Sequence, residues 1–215
     1  MLVPFQCSFR TVGLWMPDTS YGSGFTITLR NSQWLVTAAH VVNGFDVADI
    51  VLTTLDGPRV NRLTPVPMPQ EGADIAVFAV EGELTFDFDL PASLDGLNWS
   101  QDAYFLGYPF QLGMQLDGNA RPFVRRATAS GIHQNTDGPR YVLLDGIVNE
   151  GFSGGPVVYN MIGSDQWWVA AVVAGFMSAP VPVRGGPGRV DINAGIVEAH
   201  DIGHALDAIN AFVDG

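Results

Sequence analysis

Apolar stretches in this chain are short, and turn-forming residues interrupt them from one end to the other. The runs Gly24 to Leu29, Trp34 to Ala39, Ile50 to Thr54, Ala73 to Val80 and Thr85 to Leu90 are followed by a turn-rich segment, Pro91 to Gly96. They resume at Ala103 to Gly107, Phe123 to Ser130, Tyr141 to Leu144, Pro156 to Tyr159, Trp167 to Val173 and Val190 to Val197. Runs of this length suit strands and are too brief for most helices. With 25 Gly and 14 Pro between them, they predict an all-β barrel or sandwich. Leu2 to Phe9 reads as one more strand, burying Cys7, and Ala179 to Gly188 reads as a loop. One segment differs. From His200 to Val213 the apolar positions Ile202, Leu206, Ile209, Ala211 and Phe212 fall near helical spacing, which predicts a C-terminal α-helix packed on the β body.

Composition narrows the functions such a body can serve. At 215 residues and 47% hydrophobic, the chain can bury a core and is not disordered. Its formal net charge is −12, and every basic residue is Arg. Phosphate backbones repel such a protein, so nucleic acid is excluded as an expected partner. The one basic cluster, Arg121, Arg125 and Arg126, reads as a solvated face. Cys7 is the only cysteine, so no intrachain disulfide forms, and a reducing compartment is expected. The N-terminal residues lack a basic start and a long apolar run, and no stretch reaches the ~18 apolar residues of a membrane span. The expected location is cytoplasmic, with no membrane association.

Three local signals carry chemistry, in the order His, Asp, Ser. Trp34 to Val42 (WLVTAAHVV) is an apolar strand that delivers His40 at its end. Gly72 to Phe78 (GADIAVF) places Asp74 at the head of an otherwise apolar strand. Gly151 to Pro156 (GFSGGP) sets Ser153 among glycines, where a sharp turn can aim backbone N–H groups at a substrate oxygen. A serine hydroxyl is a weak nucleophile until a base takes its proton. Imidazole does so near neutral pH, and a carboxylate on its other nitrogen holds the tautomer and stabilises the imidazolium. The N–H groups of Gly151 and Ser153 are the expected oxyanion hole.

With these motifs in hand, the chain resembles the trypsin-like serine peptidases. TAAH (Thr37 to His40), DIAV (Asp74 to Val77) and GFSGGP match that family's three signatures in order. GSGF (Gly22 to Phe25), the lead-in Asp145 to Gly151 (DGIVNEG) and the turn Gly107 to Phe110 (GYPF) resemble the bacterial HtrA-type branch. The resemblance implies two six-stranded antiparallel β-barrels, residues 1–97 with His40 and Asp74 and residues 98–215 with Ser153, followed by a helix. It implies catalysis in the cleft between them, without metal or cofactor, on a polypeptide bound as an extended strand. The sequence ends at Gly215, so control by a PDZ domain is not carried over.

Departures from the family pattern set further expectations. Phe152 stands where digestive relatives carry an Asp that pairs with a newly cleaved N-terminus, and where the HtrA-type branch has Asn. Activation by propeptide cleavage is therefore not expected, and so bulky a neighbour is expected to distort the oxyanion loop. By spacing from Ser153, Ile147 and Val148 fall at the base of the specificity pocket, with Ala174, Gly175 and Phe176 opposite. An apolar base without an acid disfavours Arg or Lys, so cleavage after small or medium aliphatic residues is expected. Ala174 replaces a serine that often supports the catalytic Asp. His200 and His204 have i, i+4 spacing without a third ligand, so no metal is expected, and His133 is expected in an exposed loop. Besides an active endopeptidase, the residues fit a silent peptide-binding module, an esterase, or a protease that needs an activating protein partner.

Overall fold

The computed structural model describes residues 2–59, 62–69, 71–111, 114–116, 119–134, 138–183 and 188–215. The chain begins with a short helix, α1 (Phe5–Arg10), and then β1 (Thr11–Trp15), β2 (Tyr21–Leu29) and β3 (Ser32–Thr37). A single helical turn, α2 (Ala39–Val42), follows, then β4 (Val51–Thr54), β5 (Gly57–Arg59), β6 (Leu63–Val66) and β7 (Ala76–Val80). The second half holds β8 (Asp102–Gly107), β9 (Met114–Leu116), β10 (Asn119–Arg121), β11 (Phe123–Gln134) and β12 (Arg140–Asp145). It ends with β13 (Pro156–Asn160), β14 (Trp167–Pro182), β15 (Arg189–Asp201) and α3 (Gly203–Asp214).

The first half forms a seven-stranded sheet ordered β5-β4-β1-β2-β3-β7-β6, and the second a closed six-stranded barrel ordered β11-β12-β15-β14-β13-β8. Neighbouring strands pair antiparallel throughout both. The all-β reading with a C-terminal helix therefore holds; the first sheet has an extra strand and two ends rather than closing through them.

The period-2 alternation of strands explains why three cores result. On β3, Leu35 faces Leu14, Leu52 and Phe78 inside the first sheet. Its neighbours Trp34 and Val36 face the opposite way, into a core shared by both halves with Leu106, Val158, Val172 and Ile209. The closed barrel is filled by Phe105, Leu144, Val157, Val173 and Phe152. Helix α3 buries Ala205, Ala208 and Ile209, spaced i, i+3, i+4, in the shared core. Phe212 meets Trp34 edge-on with ring centroids 6.0 Å apart. The last helix thus ties the two halves together.

Four local expectations are corrected. Leu2 to Phe9 is not a strand: α1 occupies most of it, with Pro4 at its N-cap and Cys7 and Arg10 buried. Short apolar alternation fits either period, and tertiary burial decided for the helix. Cys7 is nonetheless the buried structural thiol expected, its pKa pushed up to about 12 by burial. Thr85 to Leu90 joins no ladder among the described residues, and side chains satisfy part of its backbone. Gln33 Oε1 accepts from Leu84 and Thr85 N–H at 3.0 and 3.1 Å, Gln33 Nε2 donates to Thr85 O, and Arg10 donates to Phe88 O. Ala179 to Gly188 is not a loop over its described residues. The strands run on as a two-stranded ribbon, with Val181 opposite Val190 and Pro182 opposite Arg189; residues 184–187 lie outside the described residues. Proline is tolerated there because a two-stranded ribbon has open edges. His133 is exposed as expected but lies on β11, opposite Tyr141.

Candidate active site

His40 sits on the helical turn that begins where β3 ends. Its backbone N–H donates to Asp74 Oδ1 at 2.9 Å, and its Nδ1 lies 2.6 Å from Asp74 Oδ2. One carboxylate thus holds both the main chain and the ring of His40, which fixes the imidazole with Nε2 directed away. Asp74 can reach because it lies two residues before β7, and β7 pairs with β3 through Thr37 opposite Ala76. The hydrogen bond to Asp74 raises the His40 pKa above its usual value, although burial opposes it. Burial pushes the Asp74 carboxyl up, but the bonds from His40 and the charges of His40 and His200 outweigh it and hold the group below its usual range.

The loop carrying Ser153 packs against the same junction. A Cβ on Gly154 would collide with Ser23 O, Thr37 Oγ1 and Ala38 N, and Gly154 has φ +85°. Only glycine lets this backbone lie on the β3–α2 corner, two residues ahead of His40. Ser23 N–H donates to Ser153 O at 2.8 Å, which pins the loop to β2. Ser153 Oγ donates to Ala174 O at 3.2 Å. Among the described residues no hydrogen bond joins it to His40. A turn of the serine side chain would be needed before His40 could take its proton, as is common in sites that tighten only with substrate. The N–H groups of Gly151 and Ser153 have no acceptor among the described residues.

The Phe152 ring is turned into the barrel interior. It is 1% exposed, packs edge-on against Phe105 with centroids 5.0 Å apart, and belongs to the core of the closed barrel. A hydrophobic anchor stands where an ion pair was absent. Of the expected pocket residues, Val148 is 3% exposed and packs in that same core, whereas Ile147 and Phe176 are 54% and 46% exposed. Ala174 and Gly175 are half-buried beside them. The β13 ladder ends at Pro156 opposite Val172, while β15 continues along Gly175 and Phe176. Among the described residues, Gly175 and Phe176 therefore pair with β15 on one side and with no strand on the other.

Three residues acquire contacts that their sequence context did not announce. His200 lies on β15, not on the helix, and its Nδ1 accepts from Asp74 N–H at 3.4 Å while Nε2 is 3.7 Å from Glu198. Burial lowers its pKa, against the charges of Asp74 and Glu198. His204 lies on α3 with Nε2 at the Arg140 backbone, 3.1 Å away. The i, i+4 pair is thus split between two elements, and no cluster of three or more His, Cys, Asp or Glu arranged for a metal occurs among the described residues. The third residue is Ser23, in the GSGF run. It is fully buried and bonded to both the Ser153 loop and β3.

The profile of the trypsin-like peptidase domain matches residues 22–163, two thirds of the chain and all three motifs. The chain belongs to this family. A comparison with curated proteins by sequence finds no match. Solved structures share the fold. The HtrA-type protease AlgW with tripeptide superposes with a TM-score of 0.66 at 19% identity, covering 96% of this chain and 61% of its own. The serine endoprotease from Yersinia pestis gives 0.66 at 18%, covering 99% and 68%. The Rv3671c protease of M. tuberculosis, in an inactive form, gives 0.63 at 18%, covering 96% and 90%. This chain thus spans less than two thirds of the AlgW chain. Among the described residues of this family member, no helix is long and apolar enough to cross a membrane.

Proposed function

We propose that this trypsin-like family member is a serine endopeptidase in which Ser153 is the nucleophile, His40 the general base and Asp74 the group that orients it. The observation that carries the reading is the two-point hold of Asp74 on His40, at 2.9 and 2.6 Å, with the Ser153 loop packed on the same corner. Ser153 Oγ would attack the scissile carbonyl carbon as its proton passes to His40 Nε2. The oxyanion would be held by the N–H groups of Gly151 and Ser153. Collapse then breaks the C–N bond, the leaving amine takes the proton from His40, and a water activated by His40 hydrolyses the acyl-enzyme. The chain itself supplies every group these steps need.

The substrate is an extended polypeptide lying along residues 174–176, whose side away from β15 lacks a paired strand among the described residues; adding a strand there supplies main-chain hydrogen bonds. Ile147 and Phe176, exposed and apolar, favour a small or medium aliphatic residue before the scissile bond. The same reading divides the chain into 1–97, carrying His40 and Asp74, and 98–215, carrying Ser153. A single buried cysteine suits a reducing, cytoplasmic setting. The test is labelling of the purified chain by a fluorophosphonate, with the adduct mapped by mass spectrometry. A label on Ser153 that vanishes in Ser153→Ala supports the reading. A label elsewhere, or none, overturns it in favour of a silent peptide-binding module or a protease that waits for a partner.

A further inference from the structure

Three successive peptide units lead to the nucleophile, and each of their carbonyls accepts a hydrogen bond. Glu150 O accepts from Phe110 N–H at 3.2 Å, and Phe152 O accepts from Gly155 N–H at 2.9 Å. Between them, Gly151 O accepts from Ser23 Oγ at 2.5 Å. In a trans peptide the N–H points opposite to the C=O. The bond from Phe110 to Glu150 O therefore turns Gly151 N–H away from the Phe110 turn, and the bond from Gly155 to Phe152 O turns Ser153 N–H away from Gly155. The remaining N–H of the three, on Phe152, closes back on Asn149 O at 3.3 Å. The other two N–H groups are the ones without an acceptor among the described residues. Gly151 has φ +93°, a value that favours glycine, and without such bonds nothing local would keep its flanking peptides from rotating.

Ser23 is the centre of this hold, and it belongs to the other half of the molecule. Its side chain is fully buried. Besides donating to Gly151 O, its Oγ accepts from Tyr108 N–H at 2.9 Å, so the hydroxyl proton is committed to Gly151. Its carbonyl accepts from Thr37 Oγ1 at 2.7 Å, and its N–H donates to Ser153 O at 2.8 Å. The strand that leads to His40 is thus bonded, through one serine, to the peptides on both sides of the nucleophile. The Tyr108–Phe110 turn is tied in twice. Phe110 adopts φ +53°, ψ +33°, which is uncommon for a bulky residue and which accompanies the bond from its N–H to Glu150 O.

We infer that Ser23 is a positioning residue that locks the oxyanion hole in its assembled form in the free protein, so that the isolated chain is competent without a cleavage event or an activating partner. The inference rests on Ser153 being the nucleophile. Its test is Ser23→Ala, assayed as the purified full chain, with rate constants normalised to folded sites by active-site titration. With the hydroxyl gone, the Gly151–Phe152 peptide, which joins the two peptides that carry the oxyanion N–H groups, keeps only the bond from Phe152 N–H to Asn149 O. The expected result is a fall in kcat of about 10- to 100-fold, below the ~10²- to 10³-fold effect of deleting an oxyanion donor outright, with KM within about twofold. A peptide boronate, which forms the tetrahedral anion, should lose affinity by the same factor, while a non-covalent product peptide should bind unchanged.

A role in stability alone would lower Tm but leave kcat per titrated site and boronate affinity unaltered, and that result overturns the inference. Amide exchange on the wild type supplies a readout that does not depend on the variant folding. Gly151 and Ser153 N–H should exchange quickly in the free protein and become protected in the phosphonate adduct. A Gly151 amide already protected in the free protein overturns the inference. A wild type that does not label with fluorophosphonate refutes the nucleophile reading and this one together. A labelled wild type with an unaltered Ser23→Ala variant refutes this one alone.

Discussion

Phe152 offers the sharpest test of how the nucleophile loop is held. It lies beside Ser153, yet only 1% of it is exposed, and it stacks edge-on with Phe105 inside the closed barrel. It also fits against Gly107, where a Cβ would come within 2.8 Å of its ring. Phe152→Ala removes a whole aromatic ring from a packed interior. Such changes cost about 3–5 kcal/mol, as lost transfer free energy plus the cavity left behind. For a chain of this size one kcal/mol shifts Tm by roughly 2–4 °C, so Tm should fall by about 6–20 °C. In urea the midpoint should drop by about 1–2 M with an unchanged slope, because the folded and unfolded states remain the same pair. Phe152→Asp should fare worse than Ala, since it places a carboxylate in that interior without a partner. Circular dichroism melts and urea titrations of the three proteins read this directly. A loss below about 1 kcal/mol for the alanine variant, or an aspartate variant as stable as the alanine one, would refute the anchoring argument. The second outcome would mean that a cation reaches the position.

Other consequences concern the histidines and their acid. Asp74→Asn should lower kcat by roughly 10⁴-fold with little change in KM, because the amide holds the wrong tautomer of His40; steady-state kinetics on an aliphatic peptide amide checks it. In the proposed mechanism His40 serves as a base only when neutral, and its pKa is raised by the hydrogen bond to Asp74. The acid limb of kcat/KM should therefore lie above the ordinary histidine value of about 6.5, and a limb below it would contradict the pairing seen here. The raised His40 pKa also stabilises the fold fully below the unfolded value, and this contribution is lost as pH rises through the folded pKa. His200 has the opposite sign. Its folded pKa is lowered, so its contribution is present above about pH 6.5 and is lost as pH falls from there towards the folded value. Replacing it by Gln should make the urea midpoint less sensitive to acidification over that window, and an unchanged sensitivity would refute the assignment.

Much of the site was legible because it is local. TAAH, the DIAV run and GFSGGP each combine a reactive residue with the strand or glycine turn that delivers it, and those requirements act over a few residues. What they could not announce was contact at long range. Ser23 reads as one small residue in GSGF, yet its hydroxyl reaches Gly151, 128 positions away. His200 and His204 look like one helical face, but β15 continues to Asp201 and places them on different elements. Phe152 looks like an intruder beside the nucleophile until the closed barrel shows the space it fills.

The same division runs through the fold. Short apolar runs and their turns determined that the chain is all-β with a helix at its end, and the order and spacing of three motifs set the chemistry proposed for it. Alternation along a strand is a local property that survives any arrangement of its neighbours. Only the tertiary structure decided that Leu2 to Phe9 is largely a helix, since Arg10 and Cys7 are buried by strands that come later in the chain. Only it decided that Thr85 to Leu90 takes its backbone partners from Gln33 and Arg10 rather than from a ladder. Buried polar groups must find partners, and which partner they find depends on what the rest of the chain brings within reach.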